Sequence, residues 1–410
     1  MLFLELPNEI ILQVSKYQSP PDLCSLLRTN RDLANLLGDA LLDCALRSLS
    51  ETERYAKGAL YSAVNRGDEL AAKRLIDGGI FKRLGEKKLL KRILLDHERK
   101  RWGEKALPTL LACGCDPETR DSEGRTLLAL AATHGLSEAV ELLMDRNDVD
   151  INSTDDGNNT PLHMAVEVGD YKVVQLLMDD GRVDVNWPNN NNRTPLHIAV
   201  MMGYDEVVRL LLAHSEININ SKDKLGWTPL SYPADAMNPT GYLASIQLLL
   251  DDRRTDVNLG NKNGRTPLHT AVTMGHEAVV RLLLNRDDID VNMRDSIGWT
   301  PLSCAAGSAN TTGRPTVLQL LLDDQRVDIN TEDKCRRTPL HLAVRMGHEA
   351  AVRLLLDCSD INISLKDGFD LTPLDYAWDG CHESIAQLLM NYLRVQFSIH
   401  AVGGLLINHG

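Results

Sequence analysis

The sequence predicts an all-α fold, a solenoid of stacked helix pairs joined by hairpin loops, and three observations predict it. Thr194-Pro195-Leu196-His197 returns as Thr266-Pro267-Leu268-His269 and again as Thr338-Pro339-Leu340-His341, 72 residues on each time. A Thr-x-Leu mark recurs at Thr126, Thr160, Thr194, Thr228, Thr266, Thr300, Thr338 and Thr372, in steps of 34 except for two of 38, and self-similarity at that period is the signature of a repeat architecture. A unit this short cannot bury its own leucines, so its stability must come from stacking on neighbours.

Residues 1–45 read as a separate small module. Pro7 stands just inside a helix start, and Ile10, Ile11 and Val14 follow at helical spacing. After Ser19-Pro20-Pro21, residues 22–27 and 32–37 read as two more short amphipathic helices. So little chain buries little surface, and the module is expected to lean on a partner or on the repeats. Residues 46–58 form a linker. Two degenerate units occupy 59–122, marked by Leu60-Tyr61-Ser62-Ala63-Val64 with Gly67 and by Leu110-Leu111-Ala112-Cys113-Gly114-Cys115. Eight fuller units fill 123–392, making about ten in all, and 393–410 is expected to be a tail that caps the exposed end.

One unit explains itself. Thr266 offers a hydroxyl to backbone N–H groups that the first helical turn leaves unpaired. Pro267 takes the first helical position, where no N–H is missed, and Gly275 can adopt the left-handed conformation that closes a helix. Residues 278–284 (Ala-Val-Val-Arg-Leu-Leu-Leu) then form a second helix, apolar over too wide an arc for one solvated on all sides. Asp290-Val291-Asn292 leads into Asp295-Ser296-Ile297-Gly298, a turn-rich hairpin signal. Two units carry four extra residues between their helices, from Pro233 to Tyr242 and from Ala306 to Pro315, and their Pro, Gly, Asn and Thr content predicts loops.

These residues resemble the ankyrin repeat, with its G-x-T-P-L-H-x-A pattern, V-V-x-L-L second helix and D-V-N turn, over residues 57–392. The resemblance implies a protein-binding stack in which the residue before each Thr lies on the hairpin and lines a concave face. That position reads Arg125, Asn159, Arg193, Trp227, Arg265, Trp299, Arg337 and Leu371. Arg193, Trp227, Arg265, Trp299 and Arg337 alternate two residue types that dominate interface energetics. Met202, Met274 and Met346, at the ends of the intervening first helices, would add adaptable apolar contacts. The same Trp side chains could instead brace the hairpins by stacking on neighbouring guanidinium groups.

Leu6-Pro7-Asn8-Glu9-Ile10, then Val14, then Asp22-Leu23 and Leu26 resemble the F-box pattern L-P-x-E-I … D-L-x-x-L. The resemblance implies docking of Leu6, Pro7, Glu9, Ile10, Val14, Asp22, Leu23 and Leu26 on a Skp-type adaptor, and through it on a cullin. Gln18 stands where Leu is usual and Leu33 where many members have Trp. An F-box-like start ahead of ankyrin units is similar to proteins common in filamentous fungi. Together these imply a ubiquitin-ligase substrate receptor. The alternative is an ankyrin scaffold whose N-terminal helices only cap the stack, and a third reading is an enzyme or small-molecule binder built in the groove.

Net charge is -13, which argues against general nucleic-acid binding, since that affinity comes from phosphate neutralisation. Residues 82–105 reverse the sign with ten Lys or Arg against four acids, either a nuclear-import signal or a solvated helix face. The eight cysteines show no zinc or redox spacing, which suits a reducing compartment. The apolar N-terminal stretch is interrupted by Glu5 and Glu9, so no secretory signal is expected, and no run is long enough to span a bilayer. A cytoplasmic, or also nuclear, protein without metal or cofactor is expected. His163, His197, His269 and His341 sit at the third helical position, where a structural bond to the preceding loop and support of the next repeat are expected. His276-Glu277, His348-Glu349 and His382-Glu383 lack the second His of a zinc helix, and no phosphate loop or nucleophile elbow occurs, so no enzyme is expected.

Overall fold

The computed structural model describes residue 60 and residues 63–77, 106–235, 239–307 and 315–407. The F-box-like residues from Leu6 to Leu26, the linker 46–58 and the basic run 82–105 lie outside the described residues.

The chain divides into two compact units, Met1–Asp184 and Val185–Gly410. The first contains α1 (Glu69–Asp77), α2 (Ala106–Ala112), α3 (Leu127–Thr133), α4 (Ser137–Met144), α5 (Pro161–Val168) and α6 (Tyr171–Asp179). The second contains six helix pairs among its described residues: α7 (Pro195–Met202) with α8 (Asp205–Ala213), α9 (Ser231–Asp235) with α10 (Leu243–Asp251), and α11 (Pro267–Met274) with α12 (Glu277–Leu284). The remaining three are α13 (Pro301–Gly307) with α14 (Pro315–Leu322), α15 (Pro339–Arg345) with α16 (Glu349–Leu356), and α17 (Pro373–Asp379) with α18 (Glu383–Ile407). Within this unit first helices pack on first helices and second on second, giving two layers. Among the described residues there is no strand.

The repeat signature becomes structure through its caps. The Thr266 hydroxyl accepts from the His269 N–H, and the His269 ring accepts from the Thr266 N–H, a reciprocal capping box. Gly275 closes α11 at φ 70, its N–H on the Val272 carbonyl and the next N–H on Ala271. First helices are buried nearly all round: Leu268, His269, Ala271 and Val272 are inside, as are Leu340, His341, Ala343 and Val344. Second helices bury one face, Val279, Val280 and Leu283 in α12 and Val352 and Leu355 in α16. Each such side chain contributes about 2 kcal/mol by leaving water, and only the neighbouring pair supplies the covering surface.

Polar staples fix the stacking register. The Asn258 amide donates to the Asp288 carbonyl at 2.8 Å and accepts from the Asp290 N–H at 2.8 Å; Asn220 and Asn292 repeat the device. The Arg326 guanidinium, ion-paired with Asp324, donates to the Leu284 and Arg286 carbonyls at the end of α12, where the helix leaves acceptors unmatched.

Two expectations about extent meet differences. The boundary at 392/393 falls inside α18, which runs unbroken from the last repeat to Ile407; residues 383–407 hold neither Pro nor an early Gly to stop a helix. The expected loop from Pro233 to Tyr242 is helical at both margins, with Pro233 inside α9 and a 3-10 turn over Pro239–Tyr242. Pro233 lacks an N–H for the carbonyl four residues back, so α9 starts late, at Ser231.

Candidate functional site

The positions before each Thr lie on hairpins organised by a buried carboxylate. In the Trp299 hairpin, Asp295 Oδ1 accepts from the Ile297 and Trp299 N–H groups at 3.0 and 2.9 Å. Asp223, Asp333 and Asp367 do the same in theirs, and all four are buried. The second oxygen, Oδ2, is left to a side chain, and its choice differs along the row.

Arg193 and Arg265 reach forward. Their own hairpins carry Asn189 and Asn261 at the carboxylate position, which accept the backbone N–H groups but offer no charge. Arg265 Nε therefore lies 3.3 Å from Asp295 of the next repeat, and Arg193 Nε sits 4.0 Å from Asp223 and donates to the Tyr232 hydroxyl at 2.9 Å. Arg337 has Asp333 in its own hairpin and pairs there at 2.8 Å; the Trp299 indole N–H donates to that same Asp333 at 3.2 Å.

Trp227 meets Tyr232 at 5.4 Å between ring centroids, tilted by 57°. The guanidinium of Arg193 lies over the Tyr232 ring, 5.2 Å from its centroid, so Tyr232 is the ring that carries the cation. Tyr232 also donates to Asp223 at 2.5 Å; burial, reinforced by this carboxylate, pushes its phenol up to about 12. The structure thus gathers Arg193, Asp223, Trp227 and Tyr232 into one cluster, and Trp299, Asp333 and Arg337 into another. Met202 and Met346 are exposed at their helix ends, and Met274 is half-buried. In sequence Asp295 reads only as part of a turn signal, and Asp223, Asp333, Asp367 and Tyr232 are not singled out, although an Asp or Asn stands four residues before each ladder position.

The histidines are structural on both nitrogens. In His269, Nδ1 accepts from the Thr266 N–H at 3.2 Å, so Nε2 carries the proton and donates to the Trp299 carbonyl of the next repeat at 2.9 Å. His197 and His341 do likewise toward Trp227 and Leu371. Burial lowers the His197 pKa to about 4 and lowers those of His269 and His341, so these rings are neutral braces at pH 7. Among the described residues no group of His, Cys, Asp and Glu could hold a metal ion, and no helix is long and apolar enough to cross a membrane.

The family profile described as Ankyrin repeats (3 copies) matches residues 100–189, 181–259, 235–332 and 308–399. The chain belongs to the ankyrin-repeat family. No curated protein matches it. Ankyrin repeats imply a protein–protein interaction role, and their proteins are typically non-enzymatic scaffolds. In these ankyrin hairpins the ladder residues stand half-buried, held by aspartates beneath.

Proposed function

We propose that this ankyrin protein is a substrate receptor of a Skp–cullin–F-box ubiquitin ligase, cytoplasmic and also nuclear. The observation that carries the reading is the segment Leu6-Pro7-Asn8-Glu9-Ile10 with Asp22-Leu23 and Leu26 ahead of the repeats. In this reading the N-terminal module recruits the Skp-type adaptor and the cullin, and the ladder of Val185–Gly410 holds a protein substrate. The ladder supports it because Trp299 and Arg265 are each held by a buried aspartate and Trp227 packs against the half-buried Tyr232, and fixed side chains lose less entropy on binding. Co-purification of a Skp adaptor and cullin with the wild type, lost on replacing Leu6 and Pro7 with alanine, is the expected result; a wild type that brings down neither sinks the ligase assignment. Trp227→Ala and Trp299→Ala should each weaken the substrate by about 2 kcal/mol.

The departures at Gln18 and Leu33 favour a second reading, a scaffold without ubiquitin chemistry. It predicts partner binding through the ladder with no adaptor in the complex.

A further inference from the structure

We propose that the hairpin tips of Val185–Gly410 grip an extended acidic segment that carries apolar side chains about six residues apart. This rests on the reading of the unit's hairpin side as a protein-binding surface and specifies what that surface binds.

The tips form one stitched row. The Asn191 carbonyl accepts from the Lys224 N–H at 3.0 Å, Leu225 from Lys262 at 3.1 Å, Asn263 from Ser296 at 2.8 Å, Ile297 from Lys334 at 3.2 Å, and Cys335 from Gly368 at 2.7 Å. Every second tip is apolar and faces solvent: Leu225 is 60% exposed, Ile297 47% and Phe369 73%. These are also the hairpins that carry Trp227, Trp299 and Leu371 at the ladder position. Three exposed apolar residues in register at 72-residue spacing make a pattern rather than single surface apolars.

Charge completes the pattern. Of the hairpin acids, Asp223, Asp295, Asp333 and Asp367 are buried, which leaves Glu332, paired with Arg336, and Asp370 outside against Lys224, Lys262, Arg294, Lys334 and Lys366, all exposed beside the tips. A chain of net charge -13 therefore presents a basic edge here, complementary to carboxylates. Neighbouring repeats stack roughly 10 Å apart, so apolar tips recur about every 20 Å, which an extended chain covers in about six residues at 3.3 Å each. An amphipathic helix fits less well. Its apolar stripe returns with every turn of about 5.4 Å and would set apolar groups on Asn263 and Lys262 too.

The test is a selection of random displayed peptides of about eighteen residues on the intact protein, followed by anisotropy titration of the best binder. Enriched sequences should be acidic with apolar residues spaced by five to seven positions, about the reach between apolar tips. Leu225→Ser, Ile297→Ser and Phe369→Ser combined should weaken that binder at least about tenfold with an unmoved unfolding midpoint. Raising salt to roughly 0.5 M should also weaken it several-fold, as should reversing Lys224 and Lys334 to Glu. Neutral or basic winners, an unaffected triple variant, or no enrichment at all would each overturn the proposal. Winners that need Trp227 and Trp299 but not the tips would overturn it while leaving the ladder reading intact. A wild type that dimerises in sedimentation, with a monomeric triple variant, would make a second copy the occupant and overturn it as well.

Discussion

Arg265 and Arg337 occupy the same position of the repeat, one before the Thr, yet they do different work. Arg265 crosses to Asp295 and ties two repeats together, while Arg337 closes on Asp333 four residues earlier and stiffens its own hairpin. The cause is a single functional group: Asn261 in one hairpin, Asp333 in the other. Both accept the hairpin N–H groups equally well, and only the carboxylate can also hold the guanidinium. A position that reads as a uniform ladder in sequence is thus split into braces between repeats and braces within them.

The largest effect should separate the two acids. Asp333→Ala strips acceptors from two backbone N–H groups, the Trp299 indole and the Arg337 guanidinium, and should cost about 4 kcal/mol in urea unfolding. Asp295→Ala frees fewer donors and should cost about 2 kcal/mol; equal losses would break the distinction. Acid should come next. The folded His197 pKa is depressed, so the unfolded chain binds the proton more readily; stability is full above about 6.5 and falls as pH drops towards 4, by about 3 kcal/mol for this ring. His197→Gln should flatten that slope in part, since His269 and His341 titrate in the same direction.

Smaller effects sharpen the comparison. Thr266→Ala should cost about 1 kcal/mol through the lost cap, seen as a lower thermal midpoint without loss of partner affinity. Asn261→Asp gives Arg265 a carboxylate in its own hairpin, so the Arg265–Asp295 coupling from a double-mutant cycle should fall from about 1 kcal/mol towards zero. Smallest is a turn residue. Arg336 holds φ 59 where Gly298 holds φ 86, and Arg336→Gly should leave stability unchanged or raise it by up to about 1 kcal/mol, whereas a Cβ at Gly298 would lie 2.8 Å from the Lys334 nitrogen.

Much of this was legible from local chemistry. Thr266, Pro267 and Gly275 announce a helix with a beginning and an end, and the histidine that follows Leu268 has its structural duty written into its distance from the cap. The ladder was legible as a list of residues but not as an arrangement. Nothing local says that Arg193 passes over its own hairpin to lie on Tyr232, 39 residues on, and the buried aspartates drew no attention because Asp in a hairpin is ordinarily read as a turn former. Continuation of α18 past 392 is not legible for the opposite reason: residues 393–407 carry no repeat punctuation from which to read an element.

By itself the sequence determined the unit and its period, since caps, proline and left-handed glycine act within one or two turns and need no distant partner. It also determined the alternation of Leu225, Ile297 and Phe369 with Asn191, Asn263 and Cys335, because an apolar tip recurs at the 72-residue period. Tertiary structure alone decided which neighbour each Arg holds, which carboxylates are buried and which cations face water. Those outcomes depend on what the adjacent repeat presents across a few ångströms, and that separation is fixed only once the leucines of neighbouring helix pairs have packed.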